Sequence, residues 1–239
     1  MHIFFGHIAP AGNWTRAAPG PTVAVKREEL AMLRIWGRAN SSNVMKVLWL
    51  CEELGIAFER IDAGGAFGRT REPDYLAKNP NALVPTIEEP DGFTLWESNA
   101  ILRYLARSRA PGHPIYPTEL KLAADCDRWM DWQLGTLTAP MTTIFFTHVR
   151  IPEPDRDYPA AEKARAAAET LWAMLDAHLT GRPFITGDHL TLADIALGIY
   201  VHRWFVLPIQ RAEMPALRAW YDRLLARPGC AKHASGPLT

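Results

Sequence analysis

Residues 79–104, reading NPNALVPTIEEPDGFTLWESNAILRY, constrain the fold more than any other part of the chain. Val84-Pro85 pushes the residue before proline into an extended conformation, and it is the kind of peptide bond that adopts cis at modest cost. That exposes the Val84 backbone groups at the mouth of a strand. Thr86–Glu88 and residues 93–96 are two short strand-like runs separated by Pro90-Asp91-Gly92, a turn sequence, so they are expected to form a β-hairpin. Glu97-Ser98 then precedes Ala100, Ile101, Tyr104 and Leu105, an apolar stripe at helical spacing. Ser98 is expected as the helix N-cap, where free N–H groups and the helix dipole favour a negatively charged ligand.

Upstream, residues 33–37 form a β-prone run, followed by Val44, Val47, Leu48, Cys51 and Leu54 at helical spacing with Gly55 as the stop. Phe58–Ile61 predicts a second strand. Residues 62–79 are rich in Gly and charge and are expected to hold a short irregular helix. The order is therefore β-α-β, connection, β-β-α. Residues 110–117, APGHPIYP, form a proline-dense linker, and beyond it the strand signals disappear. Leu122, Cys126, Trp129, Met130, Leu134 and Leu137 make one helical stripe; Ala164, Ala168, Leu171, Leu175 and Leu179 make another. Thr191-Leu-Ala-Asp194 has the form of a capping box with Leu190 and Ile195 as a hydrophobic staple, and it opens a helix carrying Leu197, Ile199 and Val201.

Twenty-six basic and 26 acidic side chains leave a net charge of zero, which gives nucleic acid or an anionic membrane no global field to follow. A small molecule is the expected partner. Cys51, Cys126 and Cys230 are too few and too scattered for a disulfide framework, and no CxxC pairing points to zinc. His148, His178, His189 and His202 lack ligand spacing, so no metal is expected. The most apolar long stretch, residues 192–209, contains Asp194, His202 and Arg203 and falls short of a span needing about 20 mainly apolar residues. Residues 1–31, with Pro10, Pro19 and Pro21 among scattered glycines, are expected to be a poorly ordered extension, with the fold starting at Met32.

Together, Val84-Pro85, the hairpin, Glu-Ser-Asn-Ala-Ile and the later Thr-x-x-Asp box resemble the cytosolic glutathione transferase family, nearest the bacterial serine-type members of the theta and zeta classes. The resemblance covers residues 32–228. It implies an α/β, thioredoxin-like N-terminal domain over residues 32–109, a linker over 110–118 and an all-helical (all-α) domain over 119–239. It also implies glutathione as co-substrate, with Val84 before cis-Pro85 pairing with the cysteinyl backbone and Glu97 and Ser98 holding the γ-glutamyl end. A cytoplasmic homodimer that conjugates a small hydrophobic electrophile, or displaces halide from it, is the implied function. Glutathione-dependent isomerisation, peroxide reduction or non-catalytic binding are the alternatives.

Free glutathione carries a thiol with a pKa of about 8.5, whereas the nucleophile is the thiolate, so a transferase must favour the anion. Family members use a Tyr, Ser or Cys at the start of the first helix. Residues 38–47, RANSSNVMKV, offer no Tyr or Cys there. Ser41 and Ser42 both qualify, one of them as an ordinary N-cap; the serine-type spacing to Lys46-Val47 favours Ser41, with Asn43 as the competitor. Cys51 is expected to be a buried, inert thiol. Trp129, Trp132 and Gln133 are candidates for an electrophile pocket, although aromatics at this spacing more often serve core packing. Two departures from the family pattern stand out. Leu83 occupies the place of the usual Lys or Arg that pairs with the glycine carboxylate, leaving Lys78, Arg60 or a partner subunit to do so or glutathione weakly bound, and Ala82 replaces the customary Gly.

Overall fold

Four strands order the first part of the computed structural model, which describes residues 32–239. The sheet runs β2-β1-β3-β4: β1 (Leu33–Trp36) is parallel to β2 (Phe58–Ile61) and antiparallel to β3 (Thr86–Glu88), which pairs with β4 (Thr94–Trp96). Ile35 of β1 lies opposite Ile87 of β3. Period-two alternation gives each face its own core. Leu33 and Ile35 join the main core beneath α1 (Ser42–Leu54) and α3 (Ser98–Arg109), while Trp36 packs with Ala63 and Tyr75 on the other face. Tyr75 comes from α2 (Pro73–Leu76), the short helix expected between residues 62 and 79, which a 3₁₀ turn at Gly65–Phe67 precedes.

The N-terminal part is thus thioredoxin-like. All that follows is helical: α4 (Leu120–Trp132), α5 (Thr138–Phe145), α6 (Tyr158–Leu179), α7 (Leu192–Val206), α8 (Pro215–Leu225) and α9 (Pro228–His233). Wide π-type turns at Gln133–Leu137 and Phe146–Arg150 follow α4 and α5, a local widening that periodicity does not reveal. α7 is buried on every side from Leu192 to Trp204, so Asp194 at its start is enclosed. Its carboxylate accepts from the Ile185 and Thr191 N–H groups, the Thr191 hydroxyl and the Trp220 indole N–H. Burial pushes this carboxyl up, and the four donors act in the opposite direction.

One tryptophan ties the strands' helix to the later helices. Trp49 of α1 is fully buried between two glycines: a Cβ on Gly198 of α7 would lie 2.6 Å from its ring, and one on Gly229 of α9 equally close. Glu53, one turn on, accepts from the Trp49 indole at 2.9 Å and from Arg227 at 3.0 Å.

Two expectations need correction. Glu97, at φ +71°, occupies the cap position of α3, and Ser98 is its first helical residue. The stripe on α4 is narrower than the spacing suggests: Leu122 and Leu134 are 45% and 49% exposed, while Cys126, Trp129, Met130 and Leu137 are buried. The expectation for residues 1–31 lies outside the described residues.

Candidate active site

The site begins where β1 enters α1. Gly37 passes so close to α1 that a Cβ there would meet Val44 Cγ2 at 2.4 Å and Val84 Cβ at 3.3 Å. This brings the cis Val84-Pro85 bond against the start of the helix. Among the described residues the Val84 N–H and C=O make no hydrogen bond, while the preceding Leu83 carbonyl accepts from the Tyr75 hydroxyl and the Asn79 amide. The loop is anchored on one side of Val84, and Val84 itself presents a backbone edge with no partner among the described residues.

Ser41 sits at the N-cap of α1 with φ −82° and ψ 125°, yet its hydroxyl makes no capping bond. It is therefore available to donate elsewhere, at an end where first-turn N–H groups favour an anion. Ser42 is the first residue of the helix. The Ser98 hydroxyl donates to Asn43 Oδ1 at 3.2 Å, joining the beginnings of α1 and α3. Ser41, Ser42, Asn43, Val84, Pro85 and Ser98 are thus gathered around two helix N-termini and one strand mouth, with Glu97 exposed at the rim.

A cavity of about 270 Å³ opens beside Ser41 and Ser42, lined by Arg38, Thr142, Phe145, Phe146, Arg150 and Arg203 among others. Trp129 and Trp132 are not in it. They line a separate groove with Met174 and His178, their rings 5.3 Å apart edge to face. Gln133 is fully buried, because it belongs to a polar cluster. There Lys46 of α1, also fully buried, donates to Gln133 Oε1 at 2.7 Å and to Asn99 Oδ1 at 3.3 Å, with its amine 5.5 Å from the centre of the Tyr200 ring. Burial pulls the amine down to about 7, against the attraction of Glu97 and with the help of Arg203. The apolar run around Lys46 carries the signal for this: a helix apolar on all sides is buried on all sides, and so is a lysine within it.

Burial raises the thiols of Cys51, Cys126 and Cys230 to about 12, which keeps them protonated. Among the described residues no group of three or more His, Cys, Asp or Glu side chains is arranged to hold a metal, and no helix is long and apolar enough to cross a membrane.

Residues 31–107 match the model of the glutathione S-transferase N-terminal domain, and residues 158–223 match that of the C-terminal domain. The chain is 36% identical over 209 residues to glutathione S-transferase GstB of Escherichia coli, covering 87% of this chain and all of that one. The chain belongs to the glutathione S-transferase family. It is a transferase by that membership. Among solved structures, the theta-class glutathione S-transferase of Xanthomonas axonopodis pv. citri with glutathione bound is 43% identical, with a TM-score of 0.82 over 87% of this chain and 99% of that one. Glutathione transferase F7 of Populus trichocarpa superimposes with a TM-score of 0.78 at 26% identity, over 87% of this chain and all of the other.

Seen as a glutathione S-transferase, the chain keeps its two departures near Val84. Leu83 is 65% exposed and apolar. Of the cations weighed in its place, Arg60 is committed to Asp62 and to the Gly37 carbonyl, whereas Lys78 lies over the Trp36 ring at 5.4 Å with Arg69 on the same ring at 5.0 Å. Ala82 adopts φ +56°, a left-handed conformation that a glycine there would take freely.

Proposed function

We propose that the protein binds glutathione along Val84, Glu97 and Ser98, holds its sulfur as a thiolate through the Ser41 hydroxyl, and transfers it to a small electrophile in the adjoining cavity. The observation that carries this reading is the Ser41 hydroxyl, unspent on capping at the N-terminus of α1 and opening onto that cavity. Hydrogen bonding to an anion favours it, and helix N–H groups add to the effect. The cysteinyl backbone pairs with the free Val84 edge, and the γ-glutamyl carboxylate takes the first turn of α3. Lys78 is favoured over Arg60 for the glycine carboxylate, since Arg60 is already paired. The Xanthomonas relative, solved with glutathione bound, supports the choice of peptide.

In this reading the peptide belongs to a domain over residues 32–109, residues 110–118 act as linker, and the helices of 119–239 supply the electrophile side. The protein works in the cytoplasm as a homodimer through the faces of α3 and α4. Titrating the ultraviolet absorbance of the bound thiolate tests the chemistry: the thiol should ionise well below its free value, and Ser41→Ala should raise it with little change in peptide affinity. A pKa unchanged in Ser41→Ala but raised in Asn43→Ala would move the role to Asn43, and a bound thiol with its free pKa would make the protein a binder. Sedimentation at micromolar concentration tests the dimer, which a stable monomer with full affinity for glutathione overturns.

A further inference from the structure

The cavity beside Ser41 collects positive charge that no carboxylate among the described residues pairs with. Arg38 comes from the β1–α1 junction, Arg150 from the end of the turn after α5 and Arg203 from α7, and all three line one space. None of the three pairs with a carboxylate among the described residues; Arg38 donates only to Asn40 Oδ1, at 3.0 Å. Arg203 is only 8% exposed. Its guanidinium lies 3.9 Å from the centre of the Phe145 ring, and that of Arg150 lies 5.5 Å from the centre of the same ring, so one aromatic ring positions both. We propose that this cavity takes electrophiles that carry a carboxylate, held by Arg203 and Arg150 while the reactive carbon faces the Ser41 end.

An unpaired charge taken out of water costs several kcal/mol, so a buried arginine facing a cavity is stabilised by an anion and wasted on a purely hydrophobic guest. Burial, together with Arg150 and Arg38, lowers Arg203 to about 10, which still leaves it protonated at neutral pH. Planar guanidinium groups also match a carboxylate's two oxygens. The walls left over, Phe145, Phe146 and Thr142, suit a small apolar body on which the acid group rides. This narrows the hydrophobic electrophile expected from sequence to an amphipathic one, and it rests on the transferase reading above. The bond change is ordinary displacement: the thiol proton leaves to water, the thiolate sulfur bonds to the carbon bearing the halogen, and chloride departs with the bonding pair.

The test uses the full chain with 4-chloro-3,5-dinitrobenzoate and its neutral isostere 4-chloro-3,5-dinitrobenzamide, each corrected for the uncatalysed rate. Enzyme kcat/KM should favour the acid by about 10-fold or more, a factor expected of a good ion pair. Arg203→Gln and the less buried Arg150→Gln should each bring that ratio toward one while glutathione affinity, measured by calorimetry, stays the same. The ratio is the readout, so a general loss of activity does not mimic the result. Should turnover be too slow to measure, binding of 3,5-dinitrobenzoate and 3,5-dinitrobenzamide to the protein saturated with S-methylglutathione decides, with the acid expected to bind tighter. An amide handled as well as the acid in either assay, or neither compound bound, overturns the proposal; so does an arginine variant that weakens glutathione and leaves the acid preference intact. Failure to bind glutathione at all refutes the transferase reading instead, and the calorimetry separates the two.

Discussion

The two walls of the cleft are built from different materials. On the sheet side the groups are local and mostly uncharged: the Val84 backbone, unpaired among the described residues, hydroxyls at Ser41 and Ser98, and the first turns of α1 and α3, with Glu97 at the rim. On the helical side they are charged and distant in sequence, with Arg150 and Arg203 arranged about Phe145. Backbone groups recognise what every peptide shares, whereas guanidinium groups select by charge. In the proposed reading, the contrast gives a constant substrate to one wall and the choice of co-substrate to the other.

Ser41→Ala is the strongest way to break that division. Loss of one donor to a developing or bound anion costs about 100-fold or more in kcat, and acidic and neutral electrophiles should suffer equally in steady-state assays. Unequal losses would mean that Ser41 touches the electrophile. Gly198→Ala attacks the scaffold behind both walls. Its Cβ would meet Trp49 at 2.6 Å and Leu224 at 3.1 Å, and overpacking of this kind costs about 1–3 kcal/mol, outweighing the gain in helix propensity. Denaturant melts should show that loss, with no change in the preference between acid and amide.

Lys46 sharpens the comparison because it lies under both walls. Its folded pKa of about 7 is below the ordinary 10.5, so between those values the unfolded chain binds more protons and native stability rises with pH. Below pH 7 the amine is protonated in both states and the cost of burying it is felt in full. Lys46→Met should therefore lack this contribution: melts across the series should show its stability relative to the natural protein falling as pH rises from about 7 to 10.5. A difference independent of pH would mean that Lys46 keeps its ordinary pKa. The smallest effect is expected at Ala82, where glycine relieves a left-handed residue at a cost in chain entropy; Ala82→Gly should stabilise by about 1 kcal/mol or less, with the sheet wall otherwise unchanged.

The same contrast explains what was legible in the sequence. The sheet half rests on short-range signals: Val84-Pro85, the turn at Pro90-Asp91-Gly92 and the apolar spacing of α1 mark their elements to within a residue or two. Even Ser98 was missed only by one position, because Glu97 takes an unusual backbone conformation that no pattern announces. The arginine cavity has no such signal. Arg38, Arg150 and Arg203 sit in unrelated contexts, and only the packing of α5 and α7 on the β1–α1 junction brings them together. Trp129 and Trp132, adjacent on one helix and suggestive of a pocket, line a different groove instead. Lys46 entered the sequence argument as a spacing mark, although its apolar neighbours already implied burial.

Trp49 bears on modularity. Its indole fits two glycines on helices distant in sequence, so the sheet half and the helical half are not interchangeable parts. A chimera joined in the linker between α3 and α4 would pair one relative's tryptophan with another's helices, and any side chain larger than hydrogen at either glycine position would wedge the halves apart. Recombination that preserves this packing must carry α1, α7 and α9 as a set, and in the proposed reading new electrophile preferences are then more readily reached by point changes around Phe145 than by exchanging whole domains.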